Sequence, residues 1–174
     1  MMKDLIERRL ADPTLPMEEA FSQQLKEEKL ELPAGQFALF MNSMYAVDAY
    51  VRDYFRKAVL DALLAEKLPV TVFGEGWEKY SCGDEHSLRR EPAVPFALSF
   101  ERITKAHVLL NVSPIFNRGM HDRVPAGMAN HAVVLTDENP YLRRTFTDGK
   151  ELLFYSLEKP AFDLTDLQKG RIIM

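Results

Sequence analysis

The run His107-Val108-Leu109-Leu110-Asn111-Val112 narrows most sharply what this chain folds into. It is apolar without alternating, and strands that read this way are covered on both faces, as in parallel sheets flanked by helices. Parallel neighbours need crossovers, normally helical, and the sequence supplies one. A helix predicted from about Asp122 to Asn130 leads into a second apolar run, Ala132 to Thr136, which completes a strand-helix-strand unit. Pro125 falls in the first turn of that helix, where a missing N–H is tolerated. The alternation continues through a turn at Asp137-Glu138-Asn139-Pro140, a short helix from Tyr141 to Phe146, a turn over 147–150 and a last strand from Glu151 to Tyr155.

Upstream, Val47, Tyr50, Val51, Tyr54, Phe55, Ala58, Val59, Ala62 and Leu63 follow spacings of three and one, the mark of a long amphipathic helix. Val70-Thr71-Val72-Phe73, β-branched and aromatic and stopped by Gly74, reads as a strand. The short apolar run Phe37-Ala38-Leu39-Phe40-Met41, between Gly35 and Asn42, is predicted to be the first strand. Ala93-Val94-Pro95-Phe96 is predicted as a short edge strand, and Ser99 as the cap of a brief helix through Ala106. Met17, Phe21 and Leu25 lie four apart and form a helical stripe entered at Pro16. The reading is an α/β fold: a Rossmann-like open parallel sheet with helices on both faces over 35–174, preceded by a helical N-terminal extension over 1–34.

Composition excludes several classes. Charge is mixed along the chain, with a formal net of -4, so no basic stripe offers itself to nucleic acid. No apolar stretch approaches the ~20 residues of a membrane-spanning helix. The first residues lack the apolar segment of a secretory signal, which makes the cytoplasm the expected location. Cys82 is the single cysteine and has no partner for a disulfide or thiol metal motif. His86, His107, His121 and His131 show no metal-ligand spacing and there is no Asp-x-Asp pair, so neither a metal nor a separate cofactor is expected.

In an open parallel sheet, ligands bind beyond the carboxyl ends of the strands. The places to search are therefore Asn42 to Tyr45, Gly74 to Trp77 and Ser113 to Arg123. Gly74 and Gly76 permit a left-handed backbone and close approach to a ligand; the plainer reading is a tight turn with Trp77 packed as a lid. Neither the dinucleotide fingerprint nor a P-loop is present. The second loop, with Arg118, Gly119, Met120, His121, Asp122 and Arg123, joins a buried strand to a helix start and is chemically an anion site. Its plainer reading is that Asp122 caps the helix and Arg118 is solvated.

Taken in order, these pieces resemble the C-terminal, donor-binding domain of GT-B glycosyltransferases, most closely the CgeB-like group of family-one transferases. The resemblance spans about Phe37 to Leu157 and rests on Phe37 to Ser43 with Arg52, Val70 to Trp77, Lys105 to Asn111, Gly119 to Arg123, Met128 to Asp137 and Phe146 to Tyr155. It implies that the domain binds a nucleoside-diphosphate sugar as substrate. The diphosphate would lie near Gly119 to Arg123, with Arg123 catalytic, and the base near Gly74 to Trp77 and Val94-Pro95. Gly74, Gly76, Trp77, Asn111, Arg118, Gly119, Met120, His121 and Asp122 are the donor-binding residues so implied. Two positions depart from the pattern: Ala126 stands where many relatives carry a ribose-gripping glutamate, and His131 where they often have glycine. Only about 35 residues precede the predicted first strand, and no long returning helix follows Ile172-Ile173-Met174. A fragment is therefore expected, inactive alone and completed by an acceptor domain or partner chain. The alternative is a non-catalytic module of the same fold, touching another protein through the Met17-Phe21-Leu25 stripe.

Overall fold

The computed structural model describes residues 1–114, 116, 118–160, 162 and 172–174. Its sheet is built from β1 (Val70–Phe73), β2 (Leu88–Glu91), β3 (Val108–Asn111), β4 (Val133–Asp137), β5 (Leu153–Tyr155) and β6 (Ile172–Ile173). In space they run β2-β1-β6-β3-β4-β5, every pair parallel. The helices are α1 (Met2–Ala11), α2 (Met17–Glu27), α3 (Ala34–Ser43), α4 (Tyr45–Ala65), α5 (Phe96–Ile103), α6 (Arg123–Ala129) and α7 (Pro140–Thr145). The chain is thus an α/β, Rossmann-like open sheet. None of its described helices is long and apolar enough to cross a membrane.

The alternation of side chains along each strand sends neighbours to opposite faces. Val70, Val72, Val108, Leu110, Leu135 and Ile172 join Val51, Phe55 and Val59 of α4 in the main core, together with Leu5 of α1 and Met17, Phe21 and Leu25 of α2. On the other face Leu109 and Ile173 meet Ile103 of α5, with Phe73 and Ala126 beside them. Val134 packs there with Val124 of α6 and Leu142 of α7. Helices therefore cover both faces, and the continuous apolar runs of β3 and β4 are explained by that double burial. Gly127 lets α6 lie close on the sheet: a Cβ at this position would stand 2.6 Å from Val134 Cγ2. The end of α6 closes on His131, whose φ of 62° is left-handed. Its N–H bonds Met128 O at 3.3 Å and the Ala132 N–H bonds Gly127 O at 3.0 Å, a Schellman ending that glycine would occupy with about 1 kcal/mol less strain.

The predicted first strand is a helix. Phe37 to Met41 lie in α3, behind Pro33 at its N-cap. The run contains no β-branched residue, and Ala, Leu and Met favour helix, so an apolar stretch that periodicity leaves ambiguous resolves against strand. Phe37 stacks 5.3 Å from Phe21, whereas Leu39 is 69% exposed. The place between β1 and β3 is taken by β6, whose two isoleucines bridge them through the pairs Val70↔Ile172 and Val108↔Ile172. The strand over 151–155 is consequently not the last.

The predicted edge strand is displaced as well. Leu88–Glu91 forms the edge, needing only Leu88 buried, while Pro95 caps α5 and Ser99 lies inside that helix with its hydroxyl donating to Phe96 O at 2.6 Å. The Met17-Phe21-Leu25 stripe is buried within the chain, which removes the exposed surface that a partner-binding module would use.

Candidate functional site

The chain builds outward from β1 to β2, crosses through α5 to β3, and builds outward again to β5 before β6 returns to the middle. The reversal between β1 and β3 is the topological switch point, where an open sheet leaves a crevice at its carboxyl edge. A cleft of about 460 Å³ opens there on the α5 and α6 face. Its floor is Phe73, Leu109, Ile173 and Met174; α5 supplies Phe96, Phe100 and Ile103; α6 and the loop before it supply His121, Asp122, Arg123 and Ala126; Val94 closes one side. An apolar trough with a cationic end suits a flat ring joined to an anionic group.

Arg123 opens α6 directly after β3 and its connecting loop. Burial draws the Arg123 guanidinium below its ordinary value, opposed by Asp122 and reinforced by Arg52. Arg56 of α4 is pushed down to about 10 by burial, by Arg123 and by Arg52. His121 is also lowered, by burial first, then Arg123, with Asp122 opposing and Arg56 adding to the effect. It is therefore neutral at pH 7. Its Nδ1 lies 2.5 Å from Asp122 Oδ1 and 3.2 Å from the Arg123 N–H. One ring nitrogen cannot both accept from that amide and donate to the carboxylate; the shorter contact, to Asp122, requires the proton on Nδ1, which the neutral imidazole supplies in its Nδ1–H tautomer. His121 also packs edge-on against Phe116, ring centroids 5.0 Å apart.

The structure brings His121, Asp122 and Arg123 to the cleft and sets the other predicted site residues around it. Gly74 and Gly76 do have left-handed φ of 122° and 90°. Their loop, however, turns Trp77 onto the main core, its Nε1–H donating to Phe73 O at 3.3 Å and its ring set T-shaped to Tyr80. Arg118 is ion-paired with Glu19 of α2. The Gly119 carbonyl accepts from Asn139 Nδ2 at 3.1 Å, and Met120 packs beside Val124 and Leu142. Asn111 is 1% exposed and belongs to a polar network under the loop. Its Nδ2 donates to Thr136 Oγ1 at 3.0 Å, its Oδ1 accepts from Ser113 Oγ at 2.9 Å, and its carbonyl accepts from the Tyr155 hydroxyl at 2.7 Å. Asp137 takes the Ser113 N–H at 2.8 Å. Burial pushes the Asp137 carboxyl up to about 7, against the pull of that bond. Asp137 also borders a smaller cavity of about 270 Å³ beneath Pro13 and Thr14.

Sequence reasoning missed the α5 wall and Arg56. The wall was legible in the spacing of Phe96, Phe100 and Ile103, four and three apart, which marks one apolar helix face. Arg56 carried no signal, because a cation on a long amphipathic helix reads as solvated until the fold shows what stands opposite. No curated protein and no solved structure matches the chain. A family model described as glycosyl transferase-like matches residues 52–167, more than half of the chain and spanning the sheet from β1 to β5, and the chain belongs to that glycosyl transferase-like family.

Proposed function

We propose that the cleft binds a nucleoside-diphosphate sugar and that the chain is the donor-binding half of a GT-B glycosyltransferase, completed by an acceptor domain or partner chain. The observation that carries this reading is the cleft itself: an apolar trough at the switch point whose cationic end is Arg123. The base lies between Phe96, Val94 and Phe73, and the diphosphate turns toward Arg123 and neutral His121. Arg123 stabilises the charge that grows on the departing diphosphate, an electrostatic role that needs no proton transfer. Ala126 lines the trough without a side chain able to accept from ribose hydroxyls, and Ser99, Arg102, His121 and Asp122 are the polar side chains that line it beside Arg123.

Titration calorimetry of the chain with UDP and with GDP tests the reading. Binding is expected for at least one of them, and Arg123→Ala is expected to weaken it by about tenfold or more, the cost of one charge-assisted contact. Absence of binding by every nucleoside diphosphate overturns it.

A further inference from the structure

The helix that stands where a strand is predicted leaves an unpartnered face. α3 carries no charged residue, and none of its ten residues is buried. The uncharged run is longer than the helix: from Leu32 to Val47 there is no Asp, Glu, Lys, Arg or His. α3 touches the rest of the chain through Phe37 and Met41, half-buried against the main core, and through Phe40, whose ring lies 5.9 Å from that of Phe21. Its outer side is bare, with Leu39 pointing to solvent. A helix of ten residues is too short to be stable alone, so α3 depends on packing, and packing reaches it from one side only. Met44 is the one residue between α3 and α4, and its burial fixes the corner between them. Beyond the corner Tyr45, Tyr50 and Tyr54 are exposed too, the last two four residues apart and so on one side of α4. The family match begins at Arg52, so α3 and the first turns of α4 lie outside it.

We propose that this surface, α3 with the exposed tyrosines of α4, pairs with the same surface of a second copy of the chain. At roughly 200 Å² for a large side chain, Leu39, Phe40, Tyr45, Tyr50 and Tyr54 leave on the order of 500 Å² exposed in each copy. Two such surfaces together reach the ~1,000 Å² that a specific interface has to clear, before the alanines of α3 are counted. Charge decides between occupants. The chain carries a formal net of -4, so two copies repel on approach except where neither bears charge, and Leu32 to Val47 is such a place. A partner recognised through its charge would need opposite charge here. A neutral patch rich in tyrosine instead fits its own copy about a two-fold axis. α3 packs on α2, on the face of the sheet away from the cleft, so the pairing uses none of the cleft's walls.

Sedimentation equilibrium from about 1 to about 100 μM decides it. The unaltered chain is expected to approach the mass of two copies as concentration rises. Leu39→Lys, which sets a charge on both sides of the contact, is expected to weaken the pairing at least about a hundredfold, and Tyr50→Lys about tenfold. Both positions are exposed in a single copy, so the unfolding temperature read at the lowest concentration stays level. Leu98→Lys, at an exposed apolar position on α5, is the control and leaves the pairing unchanged. If Leu39→Lys does not fold, Tyr50→Lys carries the same expectation. A chain that stays single across the whole range overturns the proposal and leaves the surface to a different protein. A dimer that survives both Leu39→Lys and Tyr50→Lys overturns it as well, as does one lost in Leu98→Lys but kept in Leu39→Lys. UDP affinity is expected to be equal in Leu39→Lys and the unaltered chain, so the pairing and the donor reading stand or fall separately.

Discussion

The two faces of the sheet are dressed unequally. On the α4 face the side chains of β1, β3, β4 and β6 disappear under α1, α2 and α4, and Val72, Val108, Leu110 and Ile172 reach zero exposure. On the opposite face α5 and α6 part over β1 and β6; Phe73 is half-buried and Phe96 stays 70% exposed at the rim of the cleft. One face uses its apolar surface to hold the chain folded. The other leaves part of that surface uncovered, beside His121, Asp122 and Arg123. The proposed donor site lies on the thinly packed side and the larger core on the sealed one, so substitutions should separate binding from stability.

Leu110→Ala, on the sealed side, is expected to cost about 3 kcal/mol of unfolding free energy, measured by urea denaturation, because neighbours fixed by sheet and helix cannot close the void. A loss under about 1 kcal/mol would show that this face is not the stabilising one. Asp137 tests the polar floor beneath the loop. Its folded pKa of about 7 lies above the unfolded value, so its contribution to stability is fully present below about pH 4 and is lost as pH rises through 7. Between pH 5 and pH 8 that loss is roughly 2–3 kcal/mol. Asp137→Asn keeps an acceptor for the Ser113 N–H and should flatten that slope in paired denaturation curves; an unchanged slope would show that Asp137 is not the group responsible. The smallest effect belongs to the open side. Phe96→Ala should change unfolding free energy by less than about 0.5 kcal/mol. It should nevertheless weaken nucleotide binding; a large loss of stability instead would erase the contrast between the faces.

Much of the fold was legible in advance, for a physical reason. Val108 to Asn111 and Val133 to Asp137 are strands covered on both faces, and such strands declare themselves through apolar runs, whereas Val70 to Phe73 was legible from its β-branched and aromatic residues. α4 declared itself through its spacing. Phe37 to Met41 could not be decided from periodicity, since five apolar residues fit one strand or little more than one helical turn; the missing β-branched residues were the clue. Ile172 and Ile173 are too few to announce a strand, and only their neighbours make them one. At the site, Arg123 and His121 followed from their place after a buried strand. Trp77 was harder, because two glycines with left-handed φ serve a ligand loop and a plain turn equally well.

β6 has a consequence for how the sheet is assembled. β1 and β2 form one sub-sheet, β3, β4 and β5 another, and the two are joined through the pairs that Ile172 and Ile173 make on either side. Ile172 and its partner Val70 are roughly a hundred positions apart, so the seam closes through pairings of very long sequence separation, the kind that slows folding. Of the six strands, this one also leaves the ribosome last. Until it arrives, β1 and β3 each present a bare inner edge of unpaired amides and carbonyls, and such edges are open to mispairing until the last strand closes the seam.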